Sequence, residues 1–267
     1  MRKILITGAN KGIGLASTRA ILEHDPDCFV YLGSRDAERG EAARASLGEL
    51  AARVQVLPID VSDANSVAQA AGSVEGPLYG IVNNAGVAGL ANETVLEVNV
   101  DGPRRVCEAF LGHLQEGGRV VNVSSASGPS FVATCSPSRQ KELTNPEIEL
   151  TEWETLFAEY RESGTDNAYG LSKALLNAYT LFLARTQPGL HVNACTPGFI
   201  ETDLTRPFAE ARGSTPEAMG MKQPTEGTRS TLHLLFGDVP SGWYFGSDAE
   251  RSPLDRSRSP GDPPYVE

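Results

Sequence analysis

Tyr169 and Lys173 stand four residues apart in a stretch whose pattern predicts a helix. Residues i and i+4 share one face of a helix, so both side chains would point in the same direction. A tyrosine hydroxyl has an unperturbed pKa of about 10, and a nearby ammonium lowers that pKa because it favours the phenolate. The pair could therefore transfer a proton near neutral pH, although this spacing by itself often occurs by chance.

Ser124 and Ser125 end a predicted strand further back in the chain. In an open parallel α/β sheet, ligands bind outside the carboxyl ends of the strands. A serine hydroxyl at that edge could donate a hydrogen bond to a substrate oxygen as negative charge develops on it. Helix capping or turn formation is the commoner use of serine after a strand, and both interpretations stay open.

A glycine-rich turn near the N-terminus reads Thr-Gly-Ala-Asn-Lys-Gly-Ile-Gly from Thr7 to Gly14. It follows a predicted strand and opens a predicted helix, which is the context in which a pyrophosphate binds free backbone N–H groups. Glycine allows the tight turn and the close approach of the backbone to the phosphates. The spacing is G-x-x-x-G-x-G, so a generic glycine turn is the alternative to a dinucleotide site.

The second predicted strand ends at Ser34 and Arg35, where an acidic residue would select NAD through the ribose hydroxyls. A guanidinium suits the 2′-phosphate of NADP, and Lys11 in the glycine turn can reach the same region. These cations favour NADP(H). The alternative is that Arg35 pairs with Asp36 or with another surface carboxylate.

Two further strand ends carry polar or small residues. Asp60 and Val61 follow the third strand, where the carboxylate could accept a hydrogen bond from adenine or cap the next helix. The stretch 83–86, Asn-Asn-Ala-Gly, follows the fourth strand, and its small residues would let the backbone lie along a cofactor. Its asparagine side chains could also tie neighbouring strands together.

Short apolar runs alternate with longer helical patterns along most of the chain, which indicates βαβ units. The sequence therefore predicts a single-domain α/β Rossmann fold, with a doubly wound parallel sheet of about seven strands and helices on both faces. Predicted strands are Lys3–Thr7, Cys28–Gly33, Val54–Ile59, Tyr79–Asn83, Arg119–Ser124, Leu190–Cys195 and Trp243–Phe245. Predicted helices include Gly12–His24, Asp36–Ala52 and Tyr169–Arg185.

Two segments interrupt this alternation within a domain predicted to span residues 1–250. An insertion at about 128–167 has a part rich in Pro and Ser, followed by a part with amphipathic helical spacing that contains Trp153, Phe157 and Tyr160. Residues 251–267, rich in Pro, Ser, Asp and Arg, predict a poorly ordered polar C-terminal tail.

Composition and charge exclude several classes of protein. The formal net charge of −11 over 267 residues disfavours nucleic acid as a partner. The four cysteines are widely spaced and no His-rich cluster accompanies them, so neither a disulfide framework nor a metal site is expected. No apolar run approaches the length of a signal peptide core or a membrane span, and we expect a cytoplasmic protein.

Taken in their order along the chain, these motifs resemble those of the short-chain dehydrogenase/reductase family. The resemblance extends to about Gly246, and it rests on the glycine turn, Asp60, the Asn-Asn-Ala-Gly stretch, Asn99, Ser125, the Tyr169/Lys173 pair and Pro197-Gly198. The sequence of the glycine turn and the long separation between serine and tyrosine are similar to the monomeric carbonyl reductases of that family.

The resemblance implies a role for each matching residue. Tyr169 would be the general acid in reduction and the base in oxidation, Ser125 would polarise the carbonyl, and Asn99 would hold a water linked to Lys173. Lys173 would lower the pKa of Tyr169 and hold the nicotinamide ribose. The implied cofactor-binding residues are Gly8, Asn10, Lys11, Gly12, Ile13, Gly14, Arg35, Asp60, Val61, Asn84, Ala85, Gly86, Tyr169, Lys173, Pro197, Gly198, Ile200 and Thr202.

The insertion departs from the spacing of most family members. In the carbonyl reductase-like members such an insertion covers the surface through which others form tetramers, so the resemblance implies a monomer. Trp153, Phe157 and Tyr160 would either line the substrate pocket or pack in the core.

The expected function is an NADPH-dependent carbonyl reductase acting on aldehydes or ketones, bulky or cyclic ones among them, or on the corresponding alcohols. Because cellular NADP pools are kept largely reduced, reduction is the expected direction. A non-catalytic NADPH-binding sensor or scaffold is the alternative, although such a protein would usually have lost Tyr169 or Lys173. A nucleotide-sugar epimerase would usually have a different glycine spacing and a larger substrate domain.

Overall fold

The computed structural model describes residues 1–266, which form a seven-stranded sheet in the order β3-β2-β1-β4-β5-β6-β7. All six strand pairings are parallel. The strands are β1 Arg2–Ile6, β2 Cys28–Ser34, β3 Val54–Pro58, β4 Leu78–Asn83, β5 Leu114–Val123, β6 His191–Cys195 and β7 Tyr244–Phe245. The predicted Rossmann fold is confirmed. Its strand order reverses between β1 and β4, which opens the crevice where such sheets bind ligands.

Eleven α-helices are described within residues 1–266. They are α1 Gly12–His24, α2 Ala37–Ala45, α3 Ala64–Gly72, α4 Asn92–Leu96, α5 Gly102–Phe110, α6 Ser127–Thr134, α7 Pro137–Leu143, α8 Leu150–Ser163, α9 Ala168–Thr186, α10 Arg206–Glu210 and α11 Arg229–Phe236. Short 3₁₀ turns cover Gly48–Arg53, Leu111–His113 and Pro224–Thr228, and a π-helical turn covers Glu97–Asp101.

Apolar side chains bury both faces of the sheet, as the strand composition predicted. On one face, α1, α2 and α11 pack over a core that includes Ile21, Ala43 and Leu234. On the other face, α3 and α5 pack with Val67 and Val106. Helices α5, α8 and α9 share the remaining core on that second face. The sheet is therefore the middle of three layers.

The predicted helix over Asp36–Ala52 ends early, at Ala45. Gly48 has a φ of +64°, in the left-handed region that ends helices. The chain continues from there as the 3₁₀ turn Gly48–Arg53. Composition alone favoured one long helix because alanine and charged residues continue through the break.

The insertion folds into three helices, α6, α7 and α8, so its part rich in Pro and Ser is helical as well. Ser136 caps α7 by accepting from the backbone N–H of Arg139, and Pro137 occupies the first turn. Proline fits the first turn because no intrahelical hydrogen bond is lost there. Serine and proline thus mark a helix start in this segment.

The C-terminal segment is packed against the sheet edge, and the prediction of a poorly ordered tail is wrong for residues 251–266. Arg251 pairs antiparallel with Phe245 of β7. The Arg258 side chain is 5% exposed and forms an ion pair of 2.8 Å with Asp248. Arg251 and Ser252 pair with the outer strand of the sheet, where unpaired backbone groups need partners. A polar composition did not reveal these specific pairings.

Candidate active site

The glycine-rich turn between β1 and α1 is shaped by close backbone contacts. Gly8 and Gly12 have φ values of +63° and +55°. A Cβ on Gly8 would lie 2.9 Å from the Cα of Ala85, and one on Gly14 would lie 2.5 Å from the Gly8 carbonyl oxygen. Side chains would therefore fill the space between this turn and the end of β4. The half-buried Asn10 and Ile13 complete the turn.

Asn84 ties the end of β4 to that turn. Its amide Nδ2 donates to the carbonyl oxygens of Thr7 and Gly8, at 2.9 and 3.1 Å. The Thr7 hydroxyl accepts from the backbone N–H groups of Asn84 and Ala85. These bonds hold two neighbouring strand ends together at the crevice, and they leave Gly86 beside it.

The neighbouring Asn83 lies deeper in the sheet and begins a chain of buried hydrogen bonds. Its side chain donates to Asn122 at 2.8 Å, and Asn122 donates to the Thr180 hydroxyl of α9 at 2.9 Å. Asn122 and Thr180 were not singled out from the sequence, since a polar residue inside an apolar strand pattern does not reveal its partner.

Arg35 extends from the end of β2 into solvent, with 76% of its side chain exposed, and its Nε lies 4.0 Å from the carboxylate of Asp60. Asp36 instead accepts from the backbone of Arg39 and caps α2. The Asp60 Oδ1 accepts from the backbone and the hydroxyl of Ser62, at 3.0 and 2.6 Å. Within residues 1–266, Arg35 has no ion pair shorter than its 4.0 Å contact with Asp60, and Asp60 belongs to a turn that precedes α3. Val61 is buried next to it.

Ser125, Tyr169 and Lys173 meet at the carboxyl edge of the sheet. Burial raises the pKa of Tyr169, and the nearby Ser125 side chain lowers it by less, so the net direction is upward. Ser125 also accepts from the backbone N–H of Ser127 at 3.2 Å. The buried Ser124 instead donates to the Lys173 carbonyl at 3.3 Å. Of the two serines, Ser125 is therefore the one next to the tyrosine hydroxyl.

Lys173 is 4% exposed, and its Nζ donates to the carbonyl oxygen of Val123 at 2.9 Å. The ammonium lies 5.7 Å from the centre of the Tyr169 ring. Burial lowers the pKa of Lys173 to about 8. In this structure the ammonium is thus directed at the end of β5, and the expected lowering of the tyrosine pKa by Lys173 does not appear.

Asn99 lies in the π-helical turn before α5, and such widened turns often occur at functional sites. Its side chain is fully engaged with its neighbours. The amide oxygen accepts from Val87 N–H at 2.8 Å, while Nδ2 donates to the Val87 carbonyl and to the Ser172 hydroxyl at 2.9 and 3.0 Å. Ser172 was not predicted as a site residue, and the spacing of the motif does not reveal this contact.

Gly86 lies next to Asn99 and Lys173. A Cβ on Gly86 would lie 3.4 Å from the Asn99 oxygen and 3.7 Å from Lys173 Nζ. The predicted catalytic residues therefore lie beside the stretch 84–86 at the end of β4.

The loop after β6 passes over the same crevice. Gly198 has a φ of +92°, and the buried Ile200 forms a bridge with Lys222. The Thr202 methyl group lies 3.4 Å from the position of a Cβ on Gly12, so the loop that begins at Pro197 reaches the glycine turn. All the predicted site residues except the outlying Arg35, Asp60 and Val61 therefore lie along one crevice.

Trp153 and Phe157 are buried core residues. The Trp153 indole donates to the carbonyl of Leu175 at 3.0 Å and packs against Phe157 and Tyr179. Tyr160 is half-buried and packs against Phe131. Core packing, the second of the two interpretations of these aromatic residues, is the one that the structure supports.

Within residues 1–266, no cluster of His, Cys, Asp and Glu is arranged to hold a metal ion. None of the described helices is long and apolar enough to span a bilayer.

Comparison with known proteins identifies the family. The family model described as short chain dehydrogenase matches residues 2–137. Carbonyl reductase [NADPH] 3 of Mus musculus is 32% identical, over 91% of this chain and 98% of its own length. (+)-Neomenthol dehydrogenase of Arabidopsis thaliana is 30% identical, over 91% and 95%.

Among solved structures, salutaridine reductase from Papaver somniferum superposes with a TM-score of 0.77 at 24% identity, covering 91% of this chain and 99% of that one. At this level of identity the likeness establishes a common fold. Together with the matched family model and the relatives in sequence, it shows that this chain belongs to the short-chain dehydrogenase family.

Proposed function

We infer that this protein is an NADPH-dependent carbonyl reductase, which transfers hydride between NADP(H) and an aldehyde, a ketone or the corresponding alcohol. The observation that carries this inference is the meeting of Ser125, Tyr169 and a buried Lys173 beside the glycine-turn crevice. The named relatives, a carbonyl reductase [NADPH] and a (+)-neomenthol dehydrogenase, support the same chemistry.

The crevice fits a dinucleotide along its length. The glycine turn, with Gly8, Asn10, Gly12, Ile13 and Gly14, would hold the pyrophosphate on backbone N–H groups. Lys11 and Arg35 would bind the 2′-phosphate, since charge-assisted hydrogen bonds to phosphate are strong. The remaining contacts would come from Asp60 and Val61 at the adenine, Asn84, Ala85 and Gly86 along the backbone, Tyr169 and Lys173 at the ribose, and Pro197, Gly198, Ile200 and Thr202 at the nicotinamide.

NADPH supplies the hydride when it is bound, and the protein supplies the proton. Burial raises the pKa of Tyr169, which keeps its hydroxyl protonated at neutral pH. A general acid must hold its proton before the reaction, so this direction of the shift suits carbonyl reduction. Ser125 would donate a hydrogen bond to the substrate oxygen and hold it near the tyrosine. Asn99 would hold a water linked to Lys173.

Exposed apolar side chains surround the approach to this site. Leu90 follows β4, Phe199 follows β6, and Phe208 lies in α10; each of these side chains is exposed. All three belong to the carboxyl edge of the sheet, where substrate enters. This placement supports bulky apolar carbonyl compounds as substrates, in preference to small polar ones.

The test of this function is NADPH oxidation, followed at 340 nm, with a panel of cyclic, aromatic and small polar carbonyl compounds and with NADH in parallel. We expect turnover that prefers NADPH and the apolar ketones. Tyr169→Phe should lower kcat by about 10²- to 10⁴-fold because it removes the general acid, while NADPH still binds. NADPH binding without turnover of any carbonyl would favour a sensor, and full activity of Tyr169→Phe would remove Tyr169 from the mechanism.

We also propose that the protein is a cytoplasmic monomer. Helix α8 packs on α9, and Glu154 of α8 binds Arg104 of α5 at 2.6 Å, so the insertion covers the outer side of both helices. Cys28, Cys107 and Cys195 are buried free thiols, which suits a reducing compartment. Cell fractionation tests the location.

A further inference from the structure

An ion pair joins the glycine turn to the loop after β6. The Nζ of Lys11 lies 2.7 Å from Oδ2 of Asp203. The same two segments touch at Gly12 and Thr202, one residue further along in the turn and one residue earlier in the loop. Lys11 is also the cation for which the 2′-phosphate of NADPH would compete. One ammonium therefore has two anionic partners, one within the protein and one on the cofactor.

Asp203 keeps a second partner if Lys11 leaves. Its Oδ1 accepts from Nη1 of Arg206 at 2.7 Å, and the Nε of Arg206 donates to Glu201 at 3.0 Å. Since each carboxylate oxygen of Asp203 has its own cation, release of Lys11 leaves the aspartate still paired. Of the two ion pairs of Asp203, the one with Lys11 can therefore be lost while the one with Arg206 remains.

The Lys11–Asp203 pair is also weak enough to be displaced. The two side chains are 60% and 57% exposed, and exposed pairs of this kind contribute little to stability because water and salt screen them. A phosphate monoester carries about −1.5 to −2 charges at neutral pH, against −1 for a carboxylate. The cofactor can therefore take Lys11 from Asp203, at the cost of breaking this contact.

We propose that Asp203 is a positioning residue for cofactor selectivity, which holds Lys11 in the cofactor-free protein and releases it to the 2′-phosphate of NADPH. Breaking the Lys11–Asp203 pair lowers the binding affinity for NADPH. NADH has no phosphate at that position and leaves the pair intact. Asp203 thus reduces the ratio of NADPH affinity to NADH affinity, which Lys11 and Arg35 raise. This proposal rests on the proposed function, in which Lys11 binds the 2′-phosphate.

The experiment measures dissociation constants of NADPH and NADH by isothermal titration calorimetry with the full chain, for wild type, Asp203→Asn, Lys11→Met and the double variant. The matched control is Glu210→Gln, an exposed carboxylate in α10 of the same segment. Asp203→Asn should tighten NADPH binding by about two- to fivefold, which corresponds to the upper part of the range for an exposed ion pair, and leave NADH binding unchanged. The effect should vanish in the Lys11→Met background.

Three results would overturn the proposal. Equal tightening of NADPH and NADH, or the same effect in Glu210→Gln, would mean that only the net charge near the crevice matters. Weaker binding of both cofactors would mean that the ion pair instead closes over the bound dinucleotide. An unchanged NADPH dissociation constant would mean that Asp203 does not compete for Lys11.

The assignment of Lys11 to the 2′-phosphate in the proposed function is tested by a separate result, and failure of the function itself would appear as absence of carbonyl turnover. If Lys11→Met binds NADPH as tightly as wild type does, Lys11 does not bind the phosphate, whatever Asp203→Asn does. The midpoint of thermal unfolding of each variant shows that the fold is retained, which the exposure of both side chains leads us to expect.

Discussion

At the residue scale, Lys173 lowers the stability of the folded protein at the site where it is proposed to act. Its ammonium is buried, it donates to the Val123 carbonyl, and burial lowers its pKa from 10.5 to about 8. Folding must therefore take a charged group out of water at neutral pH. A residue with this environment is expected at a site where function outweighs stability.

Lys173→Met should be inactive yet more stable than wild type. The lowered pKa of Lys173 means that burial of its ammonium destabilises the folded protein by about 3 kcal/mol at neutral pH. Methionine removes this penalty, but loss of the hydrogen bond to Val123 destabilises the variant by about 1–2 kcal/mol. We expect the free energy of unfolding at neutral pH to rise by about 1–2 kcal/mol, measured by urea denaturation.

The pH dependence of this gain has a defined sign. Between about pH 8 and 10.5 the unfolded chain keeps the Lys173 proton while the folded protein loses it, so the wild type gains stability from this group as pH rises. The advantage of Lys173→Met should therefore shrink on going from about pH 7 to about pH 9.5. An advantage that grows with pH would show that the burial of the ammonium is not its cause.

Arg35 offers a second test at the residue scale. Its guanidinium is exposed and its contact with Asp60 is long, so it is free to bind a phosphate. Arg35→Ala should weaken NADPH binding by about 1.5–3 kcal/mol, the range for a hydrogen bond to a charged group, and change NADH binding little. Calorimetric titration of both cofactors measures this, with Arg39→Ala on the exposed side of α2 as the control. An unchanged NADPH dissociation constant would contradict the assignment.

At the element scale, α8 anchors the insertion to the body of the fold. Trp153 is fully buried between Phe157 and Tyr179, and the Arg104 guanidinium lies 5.6 Å from the centre of its ring. Aromatic residues bury a large apolar area, so one side chain can hold a whole helix in place. The insertion is therefore a structural part of the fold.

Trp153→Ala should lower the free energy of unfolding by about 3–5 kcal/mol, the cost of emptying a large buried site. Trp153→Phe keeps a ring but loses the bond to the Leu175 carbonyl, and it should cost less. Urea denaturation measures both, and calorimetry should give an unchanged NADPH dissociation constant for Trp153→Phe. A normal stability with a raised KM for substrate would instead assign Trp153 to the pocket.

At the scale of the whole molecule, the insertion and the C-terminal segment cover surfaces that would otherwise be open. Helix α8 lies over α5 and α9, and Arg251 and Ser252 pair with the outer strand β7. A sheet edge or an apolar helix face that is left uncovered invites association with a second chain. Covering both favours a protein that does not associate through them.

We expect sedimentation velocity to give one species near the chain mass of 28.4 kDa over a wide range of concentration. NADPH should leave this mass unchanged because all the residues proposed to bind it come from one chain. A stable dimer or tetramer would contradict the monomer proposal and would show that another face is the interface.

The order of elements followed from the sequence because its signals are local. Apolar runs such as Leu78–Asn83 are buried on both faces, and glycine turns and helical periods separate them. The helix Gly12–His24 has its predicted bounds because a glycine turn opens it and the chain extends at Asp25. Residue types at known offsets also placed Ser125, Tyr169 and Lys173 as candidates.

Tertiary structure decided what those residues touch. Lys173 faces the carbonyl of Val123, Asn99 is held by Val87 and Ser172, and Asp203 reaches Lys11 from almost two hundred residues away. The order of the C-terminal segment likewise depends on Asp248, which pairs with Arg258. By itself, the sequence determined the strands, the helices and the candidate catalytic groups, because these follow from neighbours along the chain. Only the folded structure decided the partners, the burial and the pKa directions, because these depend on groups that are distant in sequence and close in space.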